Sequence, residues 1–160
     1  MSNISAAQVK ELREKTGLGL MDCKKALEGA NGDLDLAIEE LRKTSGVKAS
    51  KKSGRSAADG LIGITTKNDN IYMIEVNCET DFVARDESFI NFTAETLSIY
   101  SENPEVSLEE LLANGVEENR EKLVQKLGEN IVVRRLDKTD SSSIIGCLLY
   151  TSPSPRDVST

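Results

Sequence analysis

The stretch at residues 77–86, NCETDFVARD, holds the side chains of this chain that are best suited to chemistry. Three of the carboxylates in this stretch and the preceding strand, Glu75, Glu79 and Asp81, lie close in sequence, and paired carboxylates can act as general acid and base in hydrolysis. Alternation along a strand would place Glu75 and Glu79 on one face if the strand continues that far. No glycine-rich phosphate loop or cluster of metal ligands accompanies them, so a carboxylate-based hydrolase is kept only as an alternative.

A second feature of this stretch is Phe82, which directly follows Asp81 in a chain with only three Phe, three Tyr and no Trp. The pattern raises the question of why so aromatic-poor a chain places a ring beside a carboxylate just after a strand. Spacing alone favours an interpretation in which Phe82 fills the core and Asp81 caps a helix that begins near Val83. Phe89 and Phe92, however, can fill that core without Phe82.

The composition narrows the classes of protein to which the chain can belong. Among its 160 residues there is no histidine, which excludes Ser-His and Cys-His nucleophiles, histidine metal ligands and imidazole acid–base catalysis. Three cysteines, Cys23, Cys78 and Cys147, lie far apart without a C-x-x-C pair, which predicts free core thiols rather than a disulfide framework or a zinc site. We therefore expect no enzyme activity and no bound metal or cofactor.

Hydropathy and charge predict a cytoplasmic protein that neither enters a membrane nor binds nucleic acid directly. No apolar run approaches the roughly 20 residues that cross a bilayer, and no secretory signal is visible. Residues 1–58 carry 11 basic and 8 acidic side chains, whereas residues 59–160 carry 9 and 19, so the acidic part should repel phosphates. The basic run at residues 42–55 is interpreted as a solvated linker, with an RNA or acidic-partner contact as the alternative.

Residues 1–45 are predicted to form a domain of three short amphipathic helices. Ser5 and Gln8 make a capping box before the first helix, and Gly17 is placed to end it. Asp33 can cap the third helix, in which apolar residues recur at helical spacing. Three such helices can close one small core.

Residues 46–140 are predicted to form a linker and a second domain that contains strands, so the predicted fold class of the whole is α+β. Residues 46–58 lack periodicity and are interpreted as a basic linker, with a frayed helix as the alternative. Residues 59–140 are predicted to form an α/β subdomain with a small antiparallel sheet and flanking helices. Its hairpin strands lie near residues 60–66 and 71–77 around the turn KNDN, and NIVVRRL can pair with the hairpin as a third strand.

The last twenty residues, 141–160, break this pattern. They contain two of the three Pro in the chain and an apolar run, CLLY, without helical period. CLLYTSPSPRD resembles translated adapter sequence, so we expect a non-native tail, with a native linker or tail as the alternative.

Two blocks resemble translation elongation factor Ts, the family of nucleotide-exchange factors for elongation factor Tu. The first block is VKELREKTGLGLMDCKKALEGANGDLDLAIEELRK, followed by the basic linker, and the second is EVNCETDFVARD. In addition, GENIVVRRL matches the strand that ends the first half of the family's core. The resemblance runs from residue 1 to about 140. It implies a ubiquitin-associated-like helical domain, a core of α/β subdomains, and binding to elongation factor Tu in its GDP-bound and nucleotide-free forms.

The resemblance also implies which residues contact the partner. Thr80, Asp81, Phe82 and Val83 match the segment that enters beside the Mg²⁺ and phosphate site of the GTPase, and Arg13, Leu20 and Met21 match contacts made by the helical domain. Leu20 departs from the Met-rich form of that patch but keeps its apolar volume. On pattern alone, Leu20 and Met21 would instead lie in a loop as satellites of the small core.

Two expectations limit this assignment. The family continues into a second core subdomain, a helical hairpin and a further module, so we expect reduced exchange activity from the part seen here. A different class of function is also kept as an alternative: a ubiquitin-associated-type interaction module that binds a protein or peptide without exchanging a nucleotide.

Overall fold

The computed structural model describes residues 4–140, and the predicted tail at 141–160, with Cys147, lies outside the described residues. Within this part, seven α-helices and one antiparallel sheet of three strands form an α+β architecture, as predicted. The helices are α1 (Ala6–Thr16), α2 (Leu20–Gly29), α3 (Leu34–Lys52), α4 (Asp81–Ala84), α5 (Glu87–Glu102), α6 (Leu108–Leu111) and α7 (Glu117–Leu127). The strands are β1 (Asp59–Lys67), β2 (Asn70–Cys78) and β3 (Val132–Asp140).

The first three helices enclose a small core of their own, and their ends confirm the predicted signals. Ser5 and Gln8 form the capping box of α1, and Gly17 ends that helix with a left-handed φ of 68°. Asp33 caps α3, because its Oδ1 accepts the N–H groups of Asp35 and Leu36 at 2.9 and 3.0 Å. The buried residues of this core are Val9, Leu12, Leu18, Cys23, Ala26, Leu27, Ala37 and Leu41.

Helix α3 continues to Lys52, so residues 46–52 are helical and the linker interpretation is wrong for them, whereas the helical alternative agrees with the structure. Ser45 and Ala49 are buried on the face that packs against α7. Ser45 Oγ hydrogen-bonds to the carbonyl of Leu41 and to Gln125 Oε1. The sequence pattern missed this contact because small residues, rather than large apolar ones, form the helix face that lets α7 approach closely.

The sheet has the predicted topology, with β2 between β1 and β3 and both pairs antiparallel. A two-residue turn joins β1 to β2, and both of its residues, Asn68 and Asp69, have positive φ (49° and 57°). This backbone is typical of the type I′ turn, whose twist matches that of a hairpin. The hairpin strands are slightly longer than predicted.

Helix α5 covers one face of the sheet and supplies much of the larger core. Phe89 and Phe92 are both buried in it, as predicted, together with Tyr72 of β2. Tyr72 and Tyr100 make an edge-to-face ring contact with centroids 5.7 Å apart. Gly63 faces α5, since a Cβ there would lie 3.2 Å from Leu97, and the neighbouring β1 side chains therefore face the opposite side.

Candidate partner-binding site

The TDFV segment (residues 80–83) begins two residues after β2 ends at Cys78. Thr80 is the N-cap of α4, since its Oγ1 accepts the N–H of Val83 at 3.4 Å. The capping role considered for Asp81 is therefore wrong, because Asp81 is already the first residue of the helix. Its carboxylate instead pairs with Arg85 across one helical turn at 3.1 Å, on the surface.

Phe82 points into solvent, with 81% of its surface exposed. Its neighbours Val83 and Ala84 are buried in the larger core, so this single helical turn is anchored on one side and presents the ring on the other. The spacing-based expectation that Phe82 fills the core is wrong, and the protrusion implied by the family resemblance agrees with the structure. A large exposed aromatic side chain of this kind is costly to hydrate and well suited to burial in a partner.

Glu129, in the turn before β3, holds the start of the TDFV segment. Its Oε2 accepts the backbone N–H groups of Glu79 and Thr80, both at 3.0 Å, and its Oε1 accepts the Thr80 hydroxyl at 2.6 Å. The contact is reciprocal, because Glu79 Oε1 accepts the N–H of Asn130 at 2.6 Å. We call Glu79, Thr80, Glu129 and Asn130 the Glu129 cluster.

Sequence analysis missed Glu129 and Asn130. The available signal was a charged residue and an amide residue immediately after Gly128, which ends α7, and before the apolar start of β3. Such residues are usually solvated, and nothing in their spacing connects them to a strand end about fifty residues earlier. Only the antiparallel pairing of β3 with β2 brings the two turns together.

Cys78 lies beneath this cluster and is a buried thiol, as predicted. Its Sγ donates to the carbonyl oxygen of Thr80 at 3.2 Å. Burial, with a further contribution from the negative charge of Glu129, raises the pKa of Cys78 to about 11. The group is therefore protonated at neutral pH and is no nucleophile. Cys23 is likewise buried without a disulfide partner in the described part of the chain.

The three carboxylates of the hydrolase alternative do not converge. Glu75 binds Arg135 at 2.7 Å, and the Asp81 carboxylate is held by Arg85. Glu79 is committed to the Glu129 cluster. Among residues 4–140, no group of three or more His, Cys, Asp or Glu side chains is arranged to hold a metal ion. The geometry gives no support to paired-acid chemistry.

The predicted contacts of the helical unit lie at the surface. Leu20 and Met21 are the first two residues of α2 and are 55% and 61% exposed, and Arg13 on α1 is exposed as well. The expectation that Leu20 and Met21 are core satellites in a loop is wrong. The neighbouring Leu18, in contrast, is buried in the small core.

Polar contacts between α2, α3 and α7 connect the helical unit to the unit that carries the TDFV segment. Asp22 Oδ2 accepts from Lys48 Nζ at 3.0 Å and from Gln125 Nε2 at 2.9 Å. The hydrogen bond from Gln125, with a further contribution from Lys48, lowers the pKa of Asp22. Arg42 on α3 also pairs with Glu118 on α7. The two candidate contact surfaces are thus held in one arrangement.

None of the helices within residues 4–140 combines the length and the apolar character needed to cross a bilayer. This agrees with the absence of a long apolar run in the sequence.

Comparison with known proteins shows which proteins this chain is similar to. Residues 79–151, which include the TDFV segment and Glu129, match the family model described as "Elongation factor TS". The chain is 50% identical over 152 residues to elongation factor Ts of Hahella chejuensis, covering 94% of this chain and 53% of that protein. It is 51% identical over 148 residues to elongation factor Ts of Marinobacter nauticus, covering 91% of this chain and 51% of that protein.

Elongation factor Ts of a Shewanella species is 52% identical over 141 residues, with 88% of this chain and 49% of that protein covered. The chain thus spans about half the length of the curated relatives it matches. These matches and the α+β fold show that the chain is similar to elongation factor Ts over most of its own length. The resemblance to the elongation factor Ts family, predicted from the sequence, is confirmed.

Proposed function

We propose that the chain acts as a guanine-nucleotide exchange factor in translation elongation, and that its partner is elongation factor Tu in the GDP-bound and nucleotide-free states. The observation that carries this proposal is the Phe82 ring, fully presented to solvent on a helical turn anchored by Val83, Ala84 and the Glu129 cluster. The relation to elongation factor Ts supports the choice of partner. The cytoplasm is the proposed location.

Exchange of this kind needs no covalent chemistry by the chain. A GTPase holds GDP through the backbone amides of its phosphate loop and through Mg²⁺ on the phosphates. An exchange factor must bind the nucleotide-free state more tightly than the GDP state, and by linkage the nucleotide weakens its binding by the same factor. An acceleration of about 10⁴-fold corresponds to about 5.5 kcal/mol of differential binding.

Phe82 and Asp81 supply parts of that difference. Burying the Phe82 ring between partner helices contributes roughly 1.5–3 kcal/mol, since the ring is free in this chain and needs no local unfolding to become available. Asp81 enters beside the ring and competes for the donors and metal-bound water that surround the phosphates. Its ion pair with Arg85 is exposed, and pairs of this kind are weak enough to exchange for a partner contact.

Thr80 and Val83 complete the segment as its cap and its anchor. Arg13, Leu20 and Met21 provide a second contact surface that docks on the nucleotide-binding domain of the partner. This surface sets affinity, whereas the TDFV segment differentiates between the nucleotide states. Substitutions in the helical surface should therefore change the half-saturating concentration, and substitutions in the TDFV segment should change the maximal rate.

The test is stopped-flow release of fluorescent GDP from elongation factor Tu, measured against the concentration of this chain. We expect the parent chain to accelerate release and Phe82→Ala to lower the maximal rate by about 10- to 100-fold, the equivalent of the lost ring burial. Asp81→Ala should also lower it. Ile64→Ala is the matched control, because Ile64 is an exposed apolar residue on the sheet face opposite α5.

No acceleration by the parent chain would refute the exchange function. Equal acceleration by the parent and by Phe82→Ala would refute the insertion of the ring. The exposed pair Leu20 and Met21 also fits an interaction module without exchange activity. That second function would be supported if the parent bound elongation factor Tu, lost binding on Leu20→Ala and Met21→Ala, and left GDP release unchanged.

A further inference from the structure

We infer that Glu129 is a positioning residue that holds the TDFV segment in the orientation from which Phe82 acts; this inference rests on the proposed function. The side chain comes from the turn before β3 and touches neither Phe82 nor Asp81 in the contacts that the described residues make. It acts on the backbone that precedes them. Glu129 lies about fifty residues after the TDFV segment in the chain, so it is not part of the sequence motif that contains this segment.

Both carboxylate oxygens of Glu129 are used by the TDFV segment and its predecessor. Oε2 accepts two consecutive backbone N–H groups, those of Glu79 and Thr80, at 3.0 Å each. These groups follow directly after β2 and would otherwise depend on solvent. Hydrogen bonds to a charged acceptor are about twice as strong as those between neutral groups. Glu129 therefore fixes the direction in which the chain leaves the sheet.

The Thr80 hydroxyl connects Glu129 to the helical turn of the TDFV segment. It donates to Glu129 Oε1 at 2.6 Å, so its hydrogen is directed away from α4 and an oxygen lone pair is left for the N–H of Val83. The cap of α4 is thus oriented by Glu129. Phe82 has almost no packing of its own, and the geometry of this single turn decides where its ring points.

The far side of the Glu129 cluster is also held. Asn130 is only 2% exposed, and its Nδ2 donates to the carbonyl oxygen of Arg55 at 2.8 Å. Its backbone N–H is bound by Glu79, whose carboxylate also lies 3.5 Å from the Arg55 guanidinium. The turn that carries Glu129 is therefore fixed against the segment after α3, and Glu129 is a rigid rather than a mobile support.

The expected consequence is preorganisation of the ring. A segment that is ordered before binding does not lose conformational freedom when the partner closes around it. Removal of the Glu129 carboxylate should leave Phe82 present but sampling several directions. We expect a loss of about tenfold in the maximal acceleration of GDP release, the equivalent of about 1.4 kcal/mol.

The experiment compares Glu129→Ala and Glu129→Gln with the parent in the GDP-release assay. Glu129→Ala should lower the maximal rate about tenfold and change the half-saturating concentration less than about twofold, because the helical surface is intact. Glu129→Gln should retain most of the rate, since its amide oxygen can accept both N–H groups and its NH₂ can donate to Thr80 Oγ1. Glu110→Ala is the control, because Glu110 also accepts a backbone N–H, that of Ser107, but on α6.

A combined variant distinguishes positioning from a general structural role. If Glu129 acts through the orientation of Asp81 and Phe82, adding Glu129→Ala to a chain that already carries Asp81→Ala and Phe82→Ala should not slow GDP release from elongation factor Tu any further. A further loss would show that Glu129 acts independently of these two residues and would overturn the inference. Equal maximal rates for Glu129→Ala and the parent would also overturn it.

A second readout does not depend on exchange activity. Hydrogen exchange of the backbone N–H groups of Glu79 and Thr80, followed by NMR, should accelerate at least about tenfold in Glu129→Ala, while the amide of Ile74 in β2 stays protected. Unchanged hydrogen exchange at both amides would overturn the inference about Glu129, whether or not the parent chain accelerates GDP release from elongation factor Tu. The inference and the proposed function can therefore fail separately. Should Glu129→Ala not fold, Glu129→Asp keeps the charge but shortens the reach by one methylene, and it is expected to give the same losses.

Discussion

At the scale of single residues, the molecule separates stability from function within four positions. Val83 and Ala84 are buried and connect the helical turn to the larger core. The preceding residue, Phe82, contributes to no core. An aromatic side chain in this position gains little on folding, because its surface stays in water. Its physical use lies in an encounter with another molecule.

This separation predicts stability effects of very different size for two phenylalanines. Phe82→Ala should change the free energy of unfolding by less than about 0.5 kcal/mol, since little area is lost from the core. Phe89→Ala, which removes a fully buried ring, should lower it by about 3–5 kcal/mol. Urea denaturation followed by circular dichroism measures both. Comparable destabilisation by the two substitutions would mean that Phe82 is packed inside the molecule.

The sequence predicted the residues of the site only through family resemblance. Residue types and spacing alone favoured a buried Phe82, because an aromatic residue after a strand is usually in the core. Phe82 is exposed because it lies on a one-turn helix whose next two residues, Val83 and Ala84, are the buried ones. A helix of one turn is too short to show hydrophobic periodicity in the sequence. Glu129 was beyond prediction for another reason: its role depends on a strand pairing across fifty residues.

At the scale of elements, the fold followed from local signals wherever those signals were strong. Capping residues Ser5 and Asp33 began helices as predicted, and the hairpin with its third strand formed the predicted sheet. Helix α3 was the exception. Its last two turns are held by close packing of small residues on α7 and by polar contacts, neither of which produces an apolar pattern in the sequence.

Asp22 gives a pH-dependent test of the packing among α2, α3 and α7. Its pKa lies below the ordinary value of 3.8 in the folded protein, because Gln125 and then Lys48 bind its charged form. A lowered folded-state pKa contributes stability that is present above the unfolded pKa and is lost as the pH falls through the folded pKa. The stability difference between the parent and Asp22→Asn should therefore be full at neutral pH and decline below about pH 4.

Urea denaturation of both chains, from neutral pH down to about pH 3, checks this expectation. Gln125→Ala should reduce the lowering of the Asp22 pKa and shift the decline to higher pH. A difference between parent and Asp22→Asn that grew as the pH fell would contradict the sign of the shift and the assigned partners.

At the scale of the whole molecule, the two proposed contact surfaces lie on separately packed cores that are joined through α3 and α7. Arg13, Leu20 and Met21 belong to the helical unit, and the TDFV segment belongs to the sheet unit. The connection by Asp22, Lys48 and Gln125 keeps the surfaces in a fixed relation. In the proposed function, the first surface holds the partner while the second acts on its nucleotide.

The most direct test of the central claim uses the small number of phenylalanines. The chain contains three, Phe82, Phe89 and Phe92, so incorporation of 4-fluorophenylalanine gives three ¹⁹F resonances, which a Phe82→Leu variant assigns. A soluble paramagnetic agent should broaden only the Phe82 signal in the free chain, since the other two rings are buried. Nucleotide-free elongation factor Tu should protect that signal, and excess GDP should expose it again. A Phe82 ring that stays equally accessible in the complex would contradict the account.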